Sequence, residues 1–193
     1  MGELFDKLAN YGNSGIYPFH MPGHKRQKTV DFNPYKIDIT EIEGFDNLHH
    51  AEGVLLEAQK KAEKLYGSEE SHFLINGSTA GILSAVSACA KKTVLIARNC
   101  HKAVYHAALI RNLDVYYVYP EIQEEFMLNG GINPADVERS LEEHPEIEAV
   151  VITSPTYDGI VSDVKRIAEI AHAHEKPLIV DEAHGCLLYT SDA

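Results

Sequence analysis

From Glu52 onward the chain repeats one pattern: a short, almost wholly apolar run followed by a longer stretch with apolar residues at helical spacing. HFLIN (72–76), TVLIA (93–97), DVYYVY (114–119), IEAVVIT (147–153) and PLIVD (177–181) are the short runs. EGVLLEAQKKAEKLYG, GSTAGILSAVSACA, HKAVYHAALIRN, ADVERSLEEH and SDVKRIAEIAHAHE are the longer ones. Unbroken apolar strands, rather than alternating ones, belong to sheets covered on both faces. Strands alternating with helices of ten or more residues imply βαβ units. The expected class is therefore α/β: a mainly parallel sheet with helices on both faces. Local signals agree. Gly67 sits where a helix C-terminus needs a left-handed residue, and Asn133-Pro134 supplies an N-cap and a first-turn proline.

Residues 1–50 have a different texture. Gly12, Gly15, Pro18, Pro22, Gly23, Pro34 and Gly44 punctuate them, and they read as an irregular arm. The expected division is an arm over 1–50, a partial major domain over 51–185 and an atypical tail over 186–193. A length of 193 residues with 45% apolar content suffices for one domain with a real core. A net charge of −12 argues against nucleic-acid binding, which needs a basic surface. No run approaches the roughly 18 apolar residues of a membrane span, and the N-terminus carries no signal-peptide pattern. Cys89, Cys100 and Cys186 are scattered and odd in number, so neither a disulfide framework nor a zinc ribbon is suggested, and a cytoplasmic setting is expected. Among eleven histidines, His172 and His174 point to different faces of a helix, and no H-E-x-x-H occurs; no metal site is expected.

In a parallel sheet, ligands bind beyond the carboxyl ends of the strands. After HFLI come Asn76-Gly77-Ser78-Thr79, opening a helix, where free amides and hydroxyls favour an anion. A helix cap explains the same residues. After TVLIA comes Arg98-Asn99-Cys100-His101-Lys102, whose histidine can stack on a planar ligand, act as acid or base, or simply begin a helix. After IEAVVIT comes Ser154-Pro155-Thr156-Tyr157-Asp158-Gly159, a polar turn. After PLIV comes Asp181, whose carboxylate can pair with a cationic heterocycle, hold a metal, or form a turn. A phosphorylated, cationic, planar ring would satisfy all four ends together, and pyridoxal phosphate is such a ligand.

FHMPGHK (19–25), DITEIEGFDNLHHAEG (38–53), NGSTAG (76–81), RNCHK (98–102), SPTYDG (154–159) and VDEAHG (180–185) together resemble the Orn/Lys/Arg decarboxylases. These are pyridoxal-phosphate enzymes of the aspartate-aminotransferase fold. The resemblance implies that Gly77, Ser78 and Thr79 hold the cofactor phosphate and that His101 stacks on its ring. It implies that Asp181 pairs with the ring nitrogen, that Ala183 lies against the other face and that His184 sits beside the reacting carbons. Thr156 and Asp158 would line the pocket. It further implies a small basic amino acid as substrate (arginine, lysine or ornithine), a role in polyamine metabolism, and a homodimer or larger assembly, with the HMPGHK and GFDNLHH segments near its interface.

Two departures qualify this. Ala80 and Ala103 stand where the family often carries hydroxyls. The family's cofactor-linking lysine follows a histidine well downstream of the DEAHG aspartate, whereas this chain has no lysine after Lys176. Lys102 follows His101, but within the RNCHK motif. The closing CLLYTSDA does not resemble the family's continuation and is expected to be foreign to it. Aminotransferase or other lyase chemistry on the same fold, and a non-catalytic fragment, are the alternative expectations.

Overall fold

The computed structural model describes residues 3–17, 33, 36 and 38–185. The chain divides between Leu55 and Leu56 into two compact units.

The first unit contains a helix that the glycine and proline count had hidden, α1 (Glu3–Gly12), and a short 3₁₀ turn at Leu48–His50. Residues 1–50 are thus not irregular throughout. The punctuation clusters after position 11 and leaves ELFDKLANYG free to form its helix. Asn47 caps the 3₁₀ turn, its Oδ1 accepting the His49 N–H at 2.8 Å. Asp46, at φ +70°, gathers more. Its Oδ1 accepts the amides of Asn47 and Glu52, and its Oδ2 those of Gly53 and Leu55, at 2.8 to 3.0 Å. Those amides, the Glu52 N–H foremost, hold the carboxyl far below the usual carboxylate range.

The second unit carries the expected alternation: α2 (Val54–Tyr66, begun in the first unit), α3 (Gly77–Cys89), β1 (Thr93–Ala97), α4 (Lys102–Arg111), β2 (Asp114–Val118), a small hairpin of β3 (Ile122–Gln123) and β4 (Leu128–Asn129), α5 (Pro134–Glu143), β5 (Ala149–Thr153), α6 (Val164–Ala173) and β6 (Leu178–Asp181). Gly67 takes φ +67° beyond α2, and Asn133 caps α5 by accepting the Ala135 N–H at 3.0 Å, with Pro134 next. Both are as the sequence requires.

The main sheet is parallel, in the order β2-β1-β5-β6. From β1 the chain crosses through α4 to β2 on one side, then returns through α5 to β5 on the other. Right-handed crossovers place helices of opposite travel on opposite faces. Accordingly α3 packs on α4, and α5 packs on α6. Val94, Leu95, Ile96, Ala97, Ala149, Val150, Val151 and Ile152 are entirely buried between the two layers. Each such valine, leucine or isoleucine contributes roughly 1.5–3 kcal/mol on burial. At the amino edge, Glu148 Oε2 accepts the N–H groups of Lys91 and Lys92 at 2.6 Å and of Thr93 at 3.2 Å. These amides, that of Lys92 foremost, hold its carboxyl below the ordinary range.

One expected strand is missing. HFLIN lies outside both sheets, with Phe73, Leu74 and Ile75 exposed at 44%, 49% and 67%. A strand needs a neighbour to complete its hydrogen-bond ladder, and apolar content alone supplies none. Here the Phe73 N–H donates instead to the buried Gln59 side chain at 3.2 Å. No helix among the described residues is long and apolar enough to cross a membrane.

Candidate functional site

Because α4 leaves β1 toward one face and α6 leaves β5 toward the other, the loops after these two strands diverge. Such a switch point opens a crevice at the carboxyl edge of a parallel sheet. RNCHK follows β1, SPTYDG follows β5, and DEAHG ends the neighbouring β6. Three of the quoted motifs therefore stand at one edge.

Asp181 is the last residue of β6 and is 7% exposed. Its Oδ1 accepts the Ala183 N–H at 3.1 Å, so one oxygen does form the turn that aspartate commonly makes. Its Oδ2 accepts no hydrogen bond from any described residue, and no cationic side chain pairs with the carboxylate among them. That leaves one oxygen of a largely buried carboxylate available to a cationic or donating ligand. Beside it, Thr153 ends β5 in register with Asp181. The Ser154 N–H donates to the Asp181 main-chain oxygen at 3.1 Å and continues the ladder by one rung.

The loop after β5 is internally tied. The Thr156 N–H donates to Ile160 O at 2.8 Å, and Thr156 Oγ1 accepts the Ile160 N–H at 3.2 Å. Gly159, at φ +85°, closes the turn. Thr156 is buried and Asp158 is exposed. Tyr157 extends outward to meet His184 edge-on, the ring centroids 5.3 Å apart at 87°. This contact joins the loops after β5 and β6 and leaves Ala183 and His184 exposed.

His101 N-caps α4, its Nδ1 accepting the Ala103 N–H at 3.2 Å. The helix-start role is therefore real, and it fixes the free nitrogen: Nδ1 is the acceptor, so a neutral ring carries its proton on Nε2. The ring remains exposed. Lys102 is exposed in the first turn of the helix. Next to His101, Cys100 is buried, and its Sγ donates to Val151 O at 3.7 Å. Burial, helped by the nearby Asp181 charge, pushes the thiol up to about 11, against a smaller lowering from the neighbouring Thr153 hydroxyl. It is no nucleophile at neutral pH. On the outer side, Arg98 lies over the rings of Tyr105 and Tyr117, 5.4 and 5.5 Å from their centroids.

At the start of α3, Asn76 makes no side-chain cap bond, and Gly77 takes φ +66° with nothing within 4 Å of where a Cβ would stand. Ser78 and Thr79 lie inside the helix rather than at its cap and are exposed. The capping explanation for this motif thus fails, and the first-turn amides keep no side-chain acceptor from Asn76.

A family model described as "Orn/Lys/Arg decarboxylase, major domain" matches residues 3–190. The chain belongs to the Orn/Lys/Arg decarboxylase family. Among relatives, it is 32% identical to an arginine decarboxylase of Bacillus cereus over 98% of this chain and 43% of that protein. It is 29% identical to the inducible lysine decarboxylase of Escherichia coli K12, over 89% of this chain and 28% of that protein. The chain spans about two fifths of the length of the first curated relatives it matches (40% and 43%). Its fold is shared with the PLP-bound C-S lyase of Staphylococcus hominis, at 18% identity, TM-score 0.50, 65% of this chain and 33% of that one. Orn/Lys/Arg decarboxylases depend on pyridoxal phosphate.

Of the family motifs, FHMPGHK lies outside the described residues, whereas GFDNLHH carries Asp46 and the 3₁₀ turn. Two residues at the crevice escaped the sequence reading: Thr153, whose only signal was a hydroxyl closing an otherwise apolar strand, and Tyr157, hidden inside a turn motif.

Proposed function

We propose that the protein carrying this chain is a pyridoxal-phosphate-dependent decarboxylase of a basic amino acid, and that residues 51–185 furnish one wall of its cofactor site. The observation that carries the reading is the Asp181 carboxylate, buried at the strand edge with one oxygen open and no cation beside it among the described residues. A protonated pyridine nitrogen meets that need. The phosphate end is matched by the uncapped start of α3, where the exposed Ser78 and Thr79 hydroxyls and first-turn amides can donate to phosphate oxygens. Gly77 lets the backbone approach closely, since no side chain fills the space beside it. The exposed His101 ring is the candidate stacking surface, and Ala183 leaves the opposite side free of bulk.

Bound pyridoxal phosphate supplies an electron sink for the charge left when carbon dioxide departs. What the chain does is electrostatic and positional. Asp181 keeps the ring nitrogen protonated, so the sink stays strong as charge develops. Ser78, Thr79 and the α3 amides hold the far end and thereby orient the ring. His184, pinned against Tyr157, stands at the rim where the substrate would enter. A basic amino acid, a role in polyamine metabolism, a cytoplasmic setting and a dimer or larger assembly are all part of the proposal. The acidic balance of the chain agrees with a cationic substrate.

The test is Asp181→Ala in the protein expressed from the longest natural reading frame that contains this chain. Decarboxylation of arginine, lysine and ornithine is followed by carbon dioxide release. Losing a charge-assisted pair should cost two or more decades in rate, about 3 kcal/mol. Near-wild-type turnover in Asp181→Ala would remove the basis of the reading.

A further inference from the structure

Thr153 is 6% exposed, and its Oγ1 is shielded from solvent without a hydrogen-bond partner. Such orphans are uncommon, because a buried hydroxyl normally finds an acceptor. The surroundings show which acceptor is at hand. Thr153 and Asp181 are register partners on adjacent parallel strands, so their side chains stand next to each other on the same face at the carboxyl ends of β5 and β6. The Cys100 thiol occupies the same neighbourhood, near enough for the threonine hydroxyl to act on it, but its own hydrogen bond goes to Val151 O. Among the described residues, Asp181 uses only Oδ1, on the Ala183 N–H. An unused donor therefore stands beside a carboxylate with unused acceptor capacity. A valine would satisfy the strand's packing and β preference equally well.

We infer that Thr153 is a positioning residue: its hydroxyl orients the Asp181 carboxylate toward the ring nitrogen of the cofactor. This rests on the proposed reading of Asp181 and extends it by one residue. With Oδ1 fixed by Ala183 and the carboxylate steadied from β5, Oδ2 is held toward the crevice with little freedom to rotate away. Thr153 touches neither cofactor nor substrate and acts only through Asp181. Its hydroxyl stays neutral over the working pH range, so it steadies the carboxylate without adding a charge.

The experiment compares two ligands in the protein expressed from the longest natural reading frame containing this chain: pyridoxal phosphate, and its analogue with CH in place of the ring nitrogen. The ratio of their dissociation constants isolates the contact at the nitrogen, since the phosphate and aldehyde ends are common to both. A role confined to folding would weaken both ligands alike and leave the ratio unchanged. Wild-type protein should prefer the nitrogen-bearing ring, and Asp181→Asn should remove most of that preference. Thr153→Val should lower the ratio about tenfold, and Thr153→Ser, which keeps the hydroxyl, should restore it to within about twofold. Should Thr153→Val not fold, Thr153→Cys takes its place as an unbranched, poor donor, with the same expected fall. If the ratio depends on Asp181 but is untouched by Thr153→Val, or if Thr153→Ser falls as far as Thr153→Val, the inference about Thr153 is overturned and the reading of Asp181 stands. If wild type shows no preference, or Asp181→Asn leaves it unchanged, both fall.

Discussion

Gly77 offers a clean way to ask whether the start of α3 is shaped for a ligand. Its φ of +66° lies in the left-handed region, and a Cβ added there would meet nothing within 4 Å. Any penalty for a side chain at this position is therefore conformational rather than steric. An alanine in that backbone region costs about 1–2 kcal/mol, whereas asparagine tolerates it at much less. With a urea dependence of about 2 kcal/mol per molar, Gly77→Ala should lower the unfolding midpoint by roughly 0.5–1 M, and Gly77→Asn by clearly less. The functional readout is the ratio of affinities for pyridoxal phosphate and for pyridoxal, which lacks the phosphate. If alanine instead relaxes the backbone to negative φ, the α3 amides turn away and that ratio drops while the midpoint recovers. Circular dichroism in urea and fluorescence titration together distinguish the two routes. Equal costs for alanine and asparagine, with an unchanged phosphate preference in both, would refute the argument.

Further expectations concern His101 and Asp46. His101→Asn keeps a good N-cap for α4, so stability should hold within about 0.5 kcal/mol while cofactor affinity falls with the lost ring; a drop in stability without any change in affinity would make His101 a cap alone. Asp46→Asn leaves four amides with a weaker acceptor, and hydrogen exchange at Glu52, Gly53 and Leu55 should quicken, which mass spectrometry of the peptide over 46–56 would register. The Asp46 carboxyl is held below its unfolded value, so its contribution is full above the ordinary carboxylate range and fades as the pH falls toward the lowered value. Protection of this segment, taken as exchange relative to the intrinsic rate at each pH, should therefore fall on acidification below about pH 4, and Asp46→Asn should flatten that dependence.

The alternation of runs made the α/β class readable, and helix ends such as Gly67 and Asn133-Pro134 fell where local chemistry places them, because those choices are decided within a few residues. HFLIN was misread for the opposite reason: strand formation depends on a partner elsewhere, and its composition cannot report whether one is there. α1 was missed because glycines and prolines downstream coloured the whole arm. At the crevice, Asp181 was legible since an acid ending an apolar strand is conspicuous. The double role of His101, capping α4 while exposing its ring, was only half legible. Thr153 was not legible at all, because a threonine in a strand is ordinary until the register puts it beside a buried carboxylate.

Glu148 stands at the far end of the sheet from all of this, yet its three amide contacts bind residues 55 to 57 positions away in the chain. Closing a loop of that length costs roughly 3–4 kcal/mol of chain entropy before any contact returns it. The pairing of β1 with β5 therefore carries a larger chain-entropy cost than the local clasp around Asp46, whose partners all lie within nine residues. A slip of β5 by one residue would leave Glu148 short of its three amides at once and turn the strand over. Ile152 would then stand where Thr153 does, and the carboxylate of β6 would face a methyl group. A side chain at the amino edge, remote from any ligand, thereby decides what the carboxyl edge presents to one.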